Sequence, residues 1–241
     1  MLSESQLLGS TIFIMGVGLF TLLASAAFIG AAASKLRPKE RGVQWLLLAI
    51  VSIWYSVGFT VSTMGEIGFP LVGMFAAPPI ILGTLLTFWR PIKRLLAVMP
   101  THWLVFLQFY RVAGGIFLYP FLTEGVLTSG FAINAGVGDV LTGIFALPVG
   151  WMVMRNVRYH GVALILWSIF GIGDLIVAPA SAFIYGGDGL DLFPISFIPL
   201  FLGPPLGILL QIVTLRTYWL KQEAQSSVDV PISGSQVGAT V

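Results

Sequence analysis

The sequence predicts an all-α, polytopic integral membrane protein of seven transmembrane helices, with the amino terminus outside and the carboxyl terminus in the cytoplasm. Three observations predict this class. The 241 residues are 57% hydrophobic and only 9% charged, with a mean hydropathy of +0.95, which is not the composition of a soluble domain. The apolar residues form seven long runs, and the charges between the runs differ in sign from one side to the other.

Seven apolar runs are the predicted helices. A helix crosses the hydrocarbon core in about twenty residues, because it rises about 1.5 Å per residue. Runs of this length, bounded by charged or turn-forming residues, cover residues 8–33, 43–62, 69–89, 103–121, 130–154, 161–185 and 193–218. They form a helical domain over residues 1–221, and the segment 222–241, with few large apolar residues, is predicted to be a disordered cytoplasmic tail.

The first run is predicted to stay in the mature protein rather than to be removed as a signal peptide. Glu4 precedes the run and no basic residue does, whereas Lys35 and Arg37 follow it. This order of charges holds a helix in the membrane with its amino terminus outside.

The charges between the runs determine the predicted orientation. Basic residues follow the first, third, fifth and seventh runs: Lys35, Arg37, Lys39, Arg41, Arg90, Lys93, Arg94, Arg155, Arg158, Arg216 and Lys221. The charged residues on the opposite side are all acidic: Glu4, Glu66, Glu124, Asp188 and Asp191. Because basic loops stay in the cytoplasm, this pattern predicts seven spans in a cytoplasmic membrane, the inner membrane of a prokaryote. The basic pI therefore reflects membrane orientation, and no nucleic-acid partner is expected.

Two pairs of prolines interrupt the third and seventh runs. Pro78 and Pro79 stand twelve and eleven residues before Arg90, and Pro204 and Pro205 stand at the same distances before Arg216. A proline inside a helix removes a backbone hydrogen bond and bends the helix. We therefore expect a kink in each run, which could act as a hinge or leave carbonyl groups free to bind an ion.

Three ionisable residues lie inside predicted spans: Arg111 in the fourth, Asp139 in the fifth and Asp174 in the sixth. Counted from the outer ends of the spans at about 1.5 Å per residue, all three lie roughly 14–17 Å deep, near the middle of the bilayer. An unpaired charge there costs about 2.5–3.5 kcal/mol. Since consecutive helices with short connections pack as neighbours, we expect Arg111 to pair with both aspartates.

Both aspartates follow the same short motif, Gly136-Val-Gly-Asp139 on one helix and Gly171-Ile-Gly-Asp174 on the next. Gly136 and Gly171 lie three residues before their aspartates and therefore on the same helix face. Small residues at such positions allow two helix backbones to approach closely. The motif predicts close packing around each carboxylate.

One arginine against two carboxylates leaves one negative charge without a partner. Either one aspartate is protonated, or the group binds a cation. We interpret the protein as a small transporter or ion- or proton-coupled carrier whose ligands are protons, a monovalent cation or a small substrate. Gln108 and Thr142 would offer neutral polar support, and Glu124 would attract cations at the outer mouth.

Other interpretations stay open at the level of the sequence. The three charges could form a structural ion-pair network, and the chain could be a non-catalytic subunit or scaffold that binds other membrane subunits. A membrane enzyme with the carboxylates as acid and base is a third reading, although signatures of soluble enzymes such as the His-Glu-x-x-His motif are missing. With no cysteine and no clustered histidines, neither a metal site nor a cofactor is expected.

Overall fold

The structure is a computed structural model, and it describes residues 4–63, 69–118, 129–185 and 201–228. Within these residues the chain is all-helical, without strands. Eight α-helices are described, namely α1 (Glu4–Ala33), α2 (Gly42–Thr63), α3 (Phe69–Leu86), α4 (Arg90–Val98), α5 (Thr101–Leu107), α6 (Ser129–Arg155), α7 (His160–Tyr185) and α8 (Pro204–Val228). Two 3₁₀ helices, Pro38–Glu40 and Gln108–Phe117, complete the described elements.

Four of these helices are long and apolar enough to cross a membrane, namely α1, α2, α6 and α7. Their outward side chains include Phe20, Ile53 and Leu166, each about 60% exposed, as expected for surfaces that face lipid. Helices α3 and α4 reach the required length and hydropathy only together, as a bent pair, which would make a fifth span. The described residues therefore support four or five of the seven predicted spans.

The third predicted span bends at a different place from the one expected. Helix α3 continues through Pro78 and Pro79, and the chain turns by 83° between Leu86 and Arg90. Trp89, just before α4, has an extended backbone. Helix α4 then buries Ile92, Leu95 and Leu96 and exposes Arg90, Lys93 and Arg94. The bend follows from this pattern, because three basic side chains on one face favour a helix lying along the membrane surface over one that continues through it.

The predicted fourth span is not one regular α-helix. Helix α5 ends at Leu107, and the chain continues as the 3₁₀ helix Gln108–Phe117. A 3₁₀ segment of this length is uncommon and often marks a functional element. This segment carries Arg111.

The second proline pair begins a helix rather than bending one. Pro204 and Pro205 are the first two residues of α8, where proline is tolerated because these positions have no intrahelical partner for their N–H groups. The same helix continues to Val228, beyond residue 222 where the disordered tail was predicted to begin. Residues 193–200 of the seventh run lie outside the described residues, so the expected kink at this proline pair stays a prediction.

Helices α6 and α7 form the centre of the described bundle. Helix α6 packs along α7, α5 and the 3₁₀ helix Gln108–Phe117. Helix α8 packs against α3 and α7, and α1 packs against α2. Ala132, Ala135 and Ala146 on α6 are 0–2% exposed, so these small residues allow close approach of the neighbouring helices.

Contacts between distant segments gather the basic residues at one end of the bundle, called here the basic end. Glu40 pairs with Arg94, the Lys35 ammonium lies over the Trp103 ring, and the Lys221 ammonium donates to the Thr101 hydroxyl. These contacts join the 3₁₀ helix Pro38–Glu40 to α4, and they join α5 to α8 and to the segment just after α1.

Candidate functional site

The guanidinium of Arg111 lies where the 3₁₀ helix Gln108–Phe117 meets α6 and α7. From here on, this segment is called the 3₁₀ helix. The Arg111 Nε donates to Asp139 Oδ1 at 2.7 Å, and its Nη2 donates to Asp174 Oδ2 at 2.5 Å. Its Nη1 donates to the carbonyl oxygen of Gly171 at 3.1 Å. The three charged residues singled out in the sequence are thus in direct contact, and we call them the Arg–Asp–Asp cluster.

The two aspartates share one edge of the guanidinium. The Nε–H and Nη2–H groups point in the same direction and form the fork that a single carboxylate occupies in a bidentate pair. Here each donor binds a different carboxylate. The two carboxylates are therefore held side by side against a single positive charge.

The cluster is buried. The side chain of Arg111 is 1% exposed, and those of Asp139 and Asp174 are 10% and 6% exposed. Removing one partner from a buried ion pair leaves an uncompensated charge, which costs about 3–5 kcal/mol. If both aspartates are ionised, the cluster keeps one excess negative charge in a poorly hydrated environment.

Glycines make the close packing of the cluster possible. A methyl group added at Gly114 would overlap Asp139, and one added at Gly138 would overlap the carboxylate of Asp174. A methyl group at Gly171 would lie 3.0 Å from both Arg111 Nη1 and the Thr142 side chain. The structure thus places Gly171 beside the cluster, whereas Gly136 faces the side chain of Leu118 instead.

The predicted supporting residues have different surroundings. Gln108 is fully buried, and neither atom of its side-chain amide has a hydrogen-bond partner among the described residues. The Thr142 hydroxyl donates to the Gly138 carbonyl within its own helix, while the Thr142 carbonyl accepts a hydrogen bond from the Trp167 indole. Glu124 lies outside the described residues.

Sequence reasoning missed two further buried polar residues, Gln211 and Ser168. Both are 0% exposed, and among the described residues neither side chain has a hydrogen-bond partner. A methyl group at Gly171 would also collide with Gln211 Nε2, so this amide lies close to Arg111. A search for neutral polar residues within the apolar runs, rather than for charges alone, would have found both.

A small cavity adjoins the cluster. It has a volume of about 10 Å³, and its lining includes Tyr110, Arg111, Gly114 and Asp139. The hydroxyl of Tyr110 donates to the Leu202 carbonyl at 2.6 Å, and this bond connects the 3₁₀ helix to the residues just before α8. A cavity of this size has room for about one water molecule.

The arrangement suits a proton better than a metal ion. Among the residues that the structure describes, no group of three or more histidine, cysteine, aspartate or glutamate side chains could hold a metal. The guanidinium already occupies one oxygen of each aspartate. A proton needs only one free carboxylate oxygen and almost no additional volume.

The fold and site together define an all-helical class of protein, with four or five helices apolar and long enough to span a bilayer and a buried cluster of one arginine and two aspartates. The chain belongs to the family described as a domain of unknown function (DUF8737), which matches residues 68–218. The matched region includes the whole Arg–Asp–Asp cluster and excludes α1 and α2. No curated protein and no solved structure matches the chain.

Proposed function

We propose that this protein is a small membrane transporter coupled to a proton or monovalent cation, with the Arg–Asp–Asp cluster as its binding site. The proposal includes seven spans, an outer amino terminus, a cytoplasmic basic end and the inner membrane of a prokaryote. The basic residues between the runs support this orientation.

One observation carries the proposal: two buried carboxylates share a single guanidinium edge. Like charges held this closely in a site shielded from water cannot both remain ionised without a large cost. One added proton neutralises the cluster. Ionisable groups inside a membrane protein commonly belong to such proton or ion pathways.

The size of the adjoining cavity favours a proton over a larger ligand. With about 10 Å³ beside Arg111 and Asp139, the described conformation admits about one water molecule. An organic substrate would need a conformation in which α6, α7 or the 3₁₀ helix moves.

A line of buried polar side chains supports proton access from the basic end. Gln211, Thr214 and Thr217 on α8 are all 0% exposed, and Lys221 follows one turn later. Residues spaced three or four apart share one helix face, and Gln211 and Lys221 lie about 15 Å apart along the helix. The Thr214 hydroxyl donates to the Leu210 carbonyl, whereas the Gln211 and Thr217 side chains have no hydrogen-bond partner among the described residues. Because unpaired polar groups in an apolar interior are stabilised by bound water, this stripe offers a route for protons.

The test uses purified full-length protein in vesicles adsorbed to a solid-supported membrane. A rapid pH step should produce a transient current as protons enter the cluster. Asp139→Asn and Asp174→Asn should abolish the current, whereas Glu40→Gln should keep it, because Glu40 pairs with the exposed Arg94 at the basic end. A folded wild-type protein without this current, or an unchanged current in both asparagine variants, would reject the proposal.

The alternative is a non-catalytic helical subunit of a larger membrane complex. Two features of the cluster favour this alternative: each aspartate is paired with Arg111, and the neighbouring cavity is small. In that case, the wild-type protein would carry no proton current, and replacing Arg111 would lower assembly with partner subunits. Purification from native membranes with stoichiometric partners, together with absence of the current, would favour this alternative.

A further inference from the structure

A second cavity lies at the basic end, between the start of α2 and helix α4. It has a volume of about 360 Å³, and its polar lining consists of Lys39, Glu40, Arg90 and Arg94. Glu40 and Arg94 form an ion pair, which leaves two positive charges from Lys39 and Arg90. The cavity therefore offers a site of net charge +2 for an anion, and it is separate from the Arg–Asp–Asp cluster.

The position of this cavity corresponds to the level of lipid headgroups. Helix α4 turns by 83° from α3 and exposes its basic face, which is the geometry of a helix lying in the membrane interface. Trp89, which also lines the cavity, is 48% exposed, and the nearby Trp45 is 68% exposed. Exposed tryptophans are typical of the boundary between lipid and water.

An apolar cleft continues from the same place along the bundle. It lies between α2, α3 and α8, has a volume of about 320 Å³, and is lined by residues such as Ile50, Trp54, Leu82 and Leu206. Leu46 lines the basic cavity, and Ile50, one turn further along α2, lines the cleft. The basic cavity and the cleft thus follow one another along α2.

We propose that one anionic phospholipid binds here, with its phosphate in the basic cavity and an acyl chain in the cleft. Lys39 and Arg90 compensate the phosphate charge, and Trp89 packs beside the headgroup. The apolar cleft next to the cations selects a lipid over a soluble phosphate, and the net charge of +2 selects an anionic lipid over a zwitterionic one. The bound lipid would join α2 to α3 and α4.

Binding can be measured by native mass spectrometry of the full-length protein with phosphatidylglycerol and phosphatidylcholine. The variant Lys39→Gln/Arg90→Gln keeps the Glu40–Arg94 ion pair and should weaken phosphatidylglycerol binding about 25-fold, at about a factor of five per cation. The matched control Arg155→Gln/Arg158→Gln removes the same charge from the end of α6 and the loop that follows it. The control should bind phosphatidylglycerol like the wild type.

A second variant distinguishes binding of a whole lipid from binding of a soluble phosphate. Ile50→Trp fills the cleft without changing charge, so it should weaken binding of phosphatidylglycerol but leave binding of soluble glycerol phosphate unchanged. Equal losses in the two double variants would show general charge attraction and overturn the proposal. Tight binding of glycerol phosphate, with no effect of Ile50→Trp on the lipid, would identify a soluble phosphate site and also overturn it.

Discussion

Gly138 on helix α6 packs directly against the carboxylate of Asp174 on helix α7, and a methyl group at position 138 would overlap that carboxylate. The contact places the second aspartate of the cluster against the backbone of the residue that precedes the first. The arrangement of the cluster therefore depends on a glycine as well as on the charges themselves.

Gly138→Ala should displace Asp174 from Arg111 and destabilise the protein by about 1–3 kcal/mol, as other overpacked sites do. The matched control is Gly173→Ala, because no atom outside its own helix lies within 4 Å of a methyl group there. That substitution should be neutral or stabilise α7 by up to about 1 kcal/mol through helix propensity. Unfolding in detergent, followed by circular dichroism, compares the two. Equal effects would contradict the assigned contact.

Arg111→Met should lower the free energy of unfolding by about 3–5 kcal/mol, because it leaves two buried carboxylates without their partner. Adding Asp139→Asn and Asp174→Asn to this variant removes the repulsion and should restore most of the stability. A thermodynamic cycle in the same detergent, with the two aspartate substitutions made together as one change, measures the coupling between Arg111 and the aspartates. If Arg111→Met alone is as stable as the wild type, the cluster contributes no ion-pair stability.

Gln108→Leu and Gln211→Leu should affect the stability of the protein and the speed of the proton current differently. Both amides are buried without hydrogen-bond partners among the described residues, and an apolar replacement of similar size removes the cost of an unpaired polar group. We expect unchanged or higher stability together with a slower proton current after a pH step. Gln222→Leu, beyond the polar stripe on α8, is the control. A current of wild-type speed in Gln211→Leu would contradict the proposed route along α8.

The orientation can be tested with single cysteines, since the natural chain has none. Ser34→Cys and Ser226→Cys place exposed thiols at the basic end, which is predicted to be cytoplasmic. A membrane-impermeant maleimide should label them only after intact cells are permeabilised. Glu124→Cys, on the predicted outer side, should be labelled in intact cells. The reverse pattern would place the amino terminus in the cytoplasm.

Several features of the fold follow from the sequence because they depend on local composition. The apolar runs that became α1, α2, α6 and α7 are recognisable from length and hydropathy alone. By contrast, the bend after Leu86 and the start of α8 at Pro204 depend on how short segments pack. The basic face of α4 favours the bend after Leu86, because three basic side chains on one face suit a helix that lies along the membrane surface.

The candidate site also combines features that the sequence predicts with features that depend on the tertiary structure. The sequence by itself predicted that Arg111, Asp139 and Asp174 lie at similar depths, because their positions within the runs set their expected distance from the surface. Only the tertiary structure decided that both carboxylates meet the same guanidinium edge, that Gly138 rather than Gly136 faces Asp174, and that Gln211 lies nearby. The ion pairs join residues 28 and 63 positions apart. Such contacts depend on the rotation of each helix about its axis, which hydropathy alone does not specify.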